Sequence, residues 1–126
     1  MLVIACTNEP HVIIDKCAQR FDVFLHIDYL DAFDRARLIQ RELYANHIDY
    51  IDFDELKELA EASGRRSARN LERVVNTAVS RAAGGQVTYS ELSQMLRVYG
   101  SDYNASVHKK CLKFSQENPF QWQLLS

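Results

Sequence analysis

The most constraining feature of the chain is the series Leu71, Val74, Val75, Ala78, Val79 and Ala82, apolar residues that recur in steps of three and four. Such a stripe lies along one side of an α-helix and has to be buried against other elements. It predicts a helix that begins at Ser67 and stops at Gly84-Gly85. Three further starts are marked by an oxygen-bearing side chain placed three residues before an acidic one: Asp31 with Asp34, Asp52 with Glu55, and Thr88 with Glu91. The first opens onto Arg35, Leu38, Ile39 and Leu43, and the second onto Leu56, Leu59 and Ala60 before Gly64, a fitting C-terminal glycine. The third opens onto Leu92 and Leu96 before Tyr99-Gly100. Together they predict a four-helix bundle over residues 29–99. A fifth helix near 105–114 is expected in a C-terminal extension, 100–126, that also carries the aromatic residues Phe120 and Trp122.

The first 28 residues follow a different pattern. Residues 2–6, Leu-Val-Ile-Ala-Cys, are a continuous apolar run rich in β-branched residues and followed by Thr7-Asn8, which reads as a strand buried on both faces. Residues 23–27, Val-Phe-Leu-His-Ile, read as a second strand. Two strands alone are marginal in water, so this region looks like one end of a larger parallel sheet.

Balance rather than excess characterises the charge. The 126 residues carry 15 Lys+Arg and 17 Asp+Glu, a net charge of -2, so no global attraction to phosphate backbones or anionic membranes is built in. No stretch approaches the roughly 20 apolar residues of a membrane span, and the opening lacks the basic segment of a secretory leader. An intracellular, cytoplasmic protein is the expectation, and the odd cysteine count (Cys6, Cys17, Cys111) without a C-x-x-C pair fits reduced thiols. Of the histidines and cysteines only His108 and Cys111 have two-ligand spacing, short of the usual four ligands of a structural zinc, so no metal site is expected.

Locally the charge is uneven. Residues 28–63 hold ten acids and four bases, whereas 64–82 hold Arg65, Arg66, Arg69, Arg73 and Arg81 against the single acid Glu72. Arginines at a helix start oppose the helix dipole, which points to an anionic partner there. A solvated surface that pairs with the acidic helices before it accounts for them equally well. Catalytic signatures are missing from the chain. The four glycines, Gly64, Gly84, Gly85 and Gly100, form no G-x-x-x-x-G-K-[ST] phosphate loop, and no HExxH, Ser-His-Asp or Cys-His signature is present.

The order of several short pieces carries more information than any one of them: an apolar run, Thr7-Asn8-x-Pro10, Ile14-Asp15, Arg20-Phe21-Asp22, a second apolar run, Arg35-x-x-Leu38-Ile39, and Ser67-Ala68-Arg69-Asn70-Leu71. Over residues 1 to about 98 this order resembles the C-terminal part of an AAA+ ATPase module, from the sensor-1 strand through the arginine-finger segment into the helical lid. The implied fold class is mostly α. Two short parallel β-strands would close an α/β nucleotide-binding subdomain (1–28), followed by the four-helix lid (29–99) and the helical tail (100–126).

The resemblance also assigns roles. Asn8 falls on the sensor-1 position that orients the attacking water, although an Asx turn before Pro10 is an equally ordinary use of asparagine. Arg20 falls on the arginine finger that reaches a neighbouring subunit's nucleotide, against the plainer role of pairing with Asp22. Arg69 falls on the sensor-2 position, with Arg66 or Arg65 able to substitute. Two departures stand out: Gln19 replaces a second arginine common beside the finger, and many relatives have alanine where Arg69 stands. ATP and Mg2+ are then the implied cofactors of a complete module, held by a phosphate loop and an acidic pair that this chain lacks. The implied partners are neighbouring AAA+ subunits in a ring, a hexamer, together with a protein substrate or adaptor. Nucleic acid is a less favoured partner, reached through Arg65, Arg66, Arg69 and Arg73. The alternative is a non-catalytic helical interaction module that docks a partner through the arginine-rich helix start and the terminal aromatics.

Overall fold

A computed structural model of the chain describes residues 24–117 and the isolated positions 2, 4, 6 and 7. The described residues contain five helices: α1 (Ala32–Ala45), α2 (Phe53–Ser63), α3 (Ala68–Ala82), α4 (Tyr89–Tyr99) and α5 (Ala105–Glu117). The chain divides into two compact units, Asp28–Tyr103 with α1 to α4, and Met1–Ile27 together with Asn104–Ser126.

In the four-helix unit the N-caps at Asp31, Ser67 and Thr88 are made by the side chains, which accept from the amides of Asp34, Asn70 and Glu91. Asp52 occupies the same position before α2, but its side chain makes no capping bond. Asp54 and Glu55 in the first turn supply the favourable negative charge there instead. The C-terminal ends use left-handed backbone. His47 (φ 62°) closes α1 in a Schellman arrangement, with the Ile48 amide donating to the Leu43 carbonyl at 2.9 Å and the His47 amide to that of Tyr44 at 3.0 Å. Gly64 after α2 (φ 73°, ψ -172°) and Gly100 after α4 (φ 61°, ψ 169°) lie in a region that is essentially reserved for glycine.

Packing follows the apolar stripes. Helix α1 packs on α2 and α3, and α4 packs on α3 and α2, so that α2 and α3 stand at opposite corners of the bundle. The centre is filled by Ala36, Ile39, Leu43, Leu56, Ala60, Leu71, Val74, Val75, Ala78 and Leu92, all almost fully buried. Removing each Leu, Ile or Val side chain from water contributes roughly 1.5–3 kcal/mol before the entropy of ordering is counted. Val87 extends the core into the α3–α4 connection, where its amide donates to the Tyr50 hydroxyl at 2.7 Å.

The second unit is described in part. Asn104 accepts from the Val107 amide at 3.1 Å to start α5, whose buried residues are His108 and Phe114. Phe114 meets Phe24 edge to face at 5.3 Å. Here the structure corrects the expected fold class: among the described residues there is no strand, and the described positions of 2–6 and 23–27 do not form the two short parallel β-strands expected there. The positions meant to be buried in a sheet face solvent instead, with Leu2 84%, Ile4 78% and Ile27 84% exposed. The physical reason lies in the pairing itself. A strand is held by ladder bonds and neighbours on both faces, and β-branched composition does not replace them. The described fold is all-α. No helix among the described residues is long and apolar enough to cross a membrane.

Candidate functional site: the start of helix α3

The arginine-rich segment from Arg65 to Arg73 separates into two environments. Arg66 is only 5% exposed and turns into the bundle. Its Nε donates to the Ser63 carbonyl at 3.1 Å, one terminal nitrogen to the Gly100 carbonyl at 2.8 Å and to Asn70 Oδ1 at 3.0 Å, and the other to the Leu96 carbonyl at 2.7 Å. The guanidinium thus binds the carbonyl-rich ends of α2 and α4, where unpaired carbonyls and the negative end of each dipole favour a cation. Burial lowers its pKa, and the nearby charge of Asp102 opposes that effect while Arg35 adds to it. Asn70 reinforces the same point by donating to the Gly100 carbonyl at 3.0 Å.

Arg35 is used in the same way on α1. It donates to the carbonyls of Leu30 at 2.6 Å and Ala60 at 3.1 Å, while its Nε is buried without a partner. Burial lowers its pKa as well, against the attraction of Asp31 and with the repulsion of Arg65.

A carboxylate closes the start of α3. The Ser67 amide donates to Asp102 Oδ1 at 2.9 Å and the Ser67 hydroxyl donates to the other oxygen, so Asp102 sits at the positive end of the helix. Burial pushes the Asp102 carboxyl up, but the bonds from Ser67, the amide of Asp102 itself and the charge of Arg66 outweigh it and leave the pKa below the ordinary value. Arg65 lies over the Tyr103 ring at 5.2 Å and donates to its hydroxyl at 2.9 Å, and Ser101 donates to the Arg65 carbonyl.

Arg69 and Arg73 are placed differently. They stand one turn apart on the solvent side of α3, exposed and with no hydrogen bond or ion pair among the described residues. With Glu72, Asn76, Thr77 and Ser80 they line a shallow, open face. Of the four residues singled out from sequence, Arg69 therefore presents free donors to solvent, and Arg66 has every guanidinium nitrogen engaged within the bundle. Asn8 and Arg20 lie outside the described residues. No group of three or more His, Cys, Asp or Glu that could hold a metal ion is found among the described residues. Cys6 is an exposed thiol.

Sequence reasoning missed the structural use of Arg35 and Arg66. The usable signal was position: Arg66 falls between the glycine that ends α2 and the serine that caps α3, where a long donor reaches exposed carbonyls. No sequence signal pairs Asp102 with Ser67, which are 35 residues apart. No protein-family model, curated protein or solved structure matches the chain.

Proposed function

We propose that the chain is the lid-bearing C-terminal portion of a cytoplasmic AAA+ ATPase, which couples ATP binding and hydrolysis to the remodelling of a macromolecular substrate within a ring. The observation that carries the proposal is Arg69: a free, solvent-facing guanidinium in the first turn of α3, where the motif order puts a nucleotide-sensing arginine. In this scheme Arg69 contacts phosphate from the lid, so the position of the four-helix unit depends on which nucleotide is bound. Arg66 holds the helix ends that position Arg69 and leaves the phosphate contact to it. Asn8 orients the attacking water, and Arg20 reaches across to a neighbouring subunit's nucleotide to offset charge that builds on the transferred phosphoryl group. ATP and Mg2+ are held by a phosphate loop and an acidic pair supplied from outside these 126 residues.

The test is ATP hydrolysis by the chain joined to a polypeptide that carries the phosphate loop. Arg20→Ala should lower the rate by roughly 10³-fold or more with assembly intact. A parental rate in the assembled variant would remove the finger assignment, and no hydrolysis by the joined parent would remove the ATPase reading as a whole.

A further inference from the structure

The outer side of α1 is as regularly patterned as its buried one. Phe33, Arg37, Arg41 and Tyr44 are exposed and follow one another at i, i+4, i+8 and i+11, on the side away from buried Ala36, Leu38, Ile39 and Leu43. Phe33 and Tyr44 remain 47% and 54% exposed although a neighbour holds each of them. Phe33 meets Phe53 edge to face at 5.5 Å, and the Gln40 side-chain amide donates to the Tyr44 hydroxyl at 3.4 Å. Between the two rings, Arg37 lies 5.9 Å over Phe33 and has no ion pair or hydrogen bond among the described residues. Arg41, its side chain 71% exposed, reaches the Glu42 carboxylate at 3.7 Å. At about 1.5 Å per residue the pattern spans roughly 16 Å, with the cations about 6 Å apart. Aromatic side chains already held in place lose little freedom when covered, and aromatic residues with arginine are the groups that anchor protein contacts.

We propose that this side of α1 docks an amphipathic helix of a partner protein, one that carries two carboxylates one turn apart between two apolar side chains. Laid alongside α1, the carboxylates meet Arg37 and Arg41, whose planar forks accept them bidentately, and the apolar ends cover Phe33 and Tyr44. Charge decides between the occupants. A second copy packed on this side about a two-fold axis would set arginine against arginine in either helix orientation, and such like-charge contacts are repulsive. A nucleic acid strand carries negative charge along its whole length. This stripe is bordered by Asp34 and Glu42 within residues 28–63, which hold ten acids and four bases. A helix with its acids confined to the middle of the stripe reaches the two arginines and brings no charge to the acidic surroundings. Phe33, Arg37, Arg41 and Tyr44 have no role in the ATPase reading, and the proposal stands independently of it.

A fluorescent synthetic helix tests it, with Leu, Glu, Glu and Leu at the spacing of Phe33, Arg37, Arg41 and Tyr44 on a background of alanine and glutamine. Its anisotropy should rise saturably with the full chain, and the affinity should fall as salt is raised from about 50 mM to about 0.5 M. The double Arg37→Glu/Arg41→Glu, folded by circular dichroism, should bind it at least about tenfold more weakly. The same double should bind a peptide with Lys in place of each Glu, because every pair is again opposite in charge. Phe33→Ser/Tyr44→Ser, also folded, should weaken binding of the Glu peptide about fivefold or more. No saturable binding by the parent, equal affinity of the parent for the Glu and Lys peptides, or unchanged affinity in either double would each overturn the proposal. So would tighter binding of a short oligothymidine than of the Glu peptide, or self-association of the parent that either double abolishes.

Discussion

Arg66 and Arg69 lie three residues apart, carry the same guanidinium and have opposite relations to the fold. Arg66 is enclosed and reaches carbonyls at the ends of two helices, whereas Arg69 stands in solvent with nothing to hold. What separates them is where the local backbone points each Cβ. Arg66 precedes the cap of α3 and faces the last turns of α2 and α4, while Arg69 sits within the helix on the side opposite its apolar stripe. A run of arginines is therefore not one electrostatic object. The buried region answers to stability, and the exposed face answers to partners.

The widest separation between the two regions should come from replacing each arginine in turn. Arg66→Met keeps the bulk but leaves the Ser63 carbonyl without its donor and takes one of two donors from the Leu96 and Gly100 carbonyls, which keep the Gly100 amide and Asn70, and this should cost about 2.5 kcal/mol, since each orphaned buried group costs roughly 1–3 kcal/mol. Urea unfolding measures this, and a loss under 1 kcal/mol would mean water replaces the guanidinium without penalty. Gly64→Ala probes the same buried end without touching its charge. A Cβ there would meet nothing within 4 Å, so the expected loss of about 2 kcal/mol is purely the backbone cost of φ 73°.

Asp102 lies between the two regions and sharpens the contrast through pH. Its carboxyl titrates below the ordinary aspartate value in the folded chain, so its stabilisation is present above about pH 4 and disappears as pH falls through the depressed folded value. Urea midpoints of the parent should drop more steeply below about pH 4 than those of Asp102→Asn. At neutral pH the substitution should cost about 1 kcal/mol, a figure kept small because the group is exposed. Equal acid slopes would show that Asp102 does not hold the start of α3. The smallest effect is expected at the surface, where Arg69→Ala should change unfolding free energy by less than about 0.5 kcal/mol. A larger loss would place Arg69 in the fold rather than on its face.

The helical unit was legible because its signals are local. Asp31, Ser67 and Thr88 cap the helices they were expected to cap, and the stripe from Leu71 to Ala78 is the buried side of α3. Closure of α1 was not legible: it depends on His47 in the left-handed region, a position where glycine is the usual mark. The inward turn of Arg66 was hidden for a related reason, since its carbonyl partners include Leu96 and Gly100, which are 30 and 34 residues further on. The expectation of strands at 2–6 and 23–27 came from composition alone. β-structure is a property of pairs of segments, and among the described residues no strand lies beside Leu25 and Ile27, which are apolar and exposed.

The clasp formed by Arg66 has a mechanical meaning. One planar group fastens the final turns of two helices just beneath the opening turn of a third, so a push or pull delivered at that opening turn reaches both fastened ends together. The fastened ends should then open together, so that amide protons near residues 63–70 and 96–100 exchange in concert rather than fray separately.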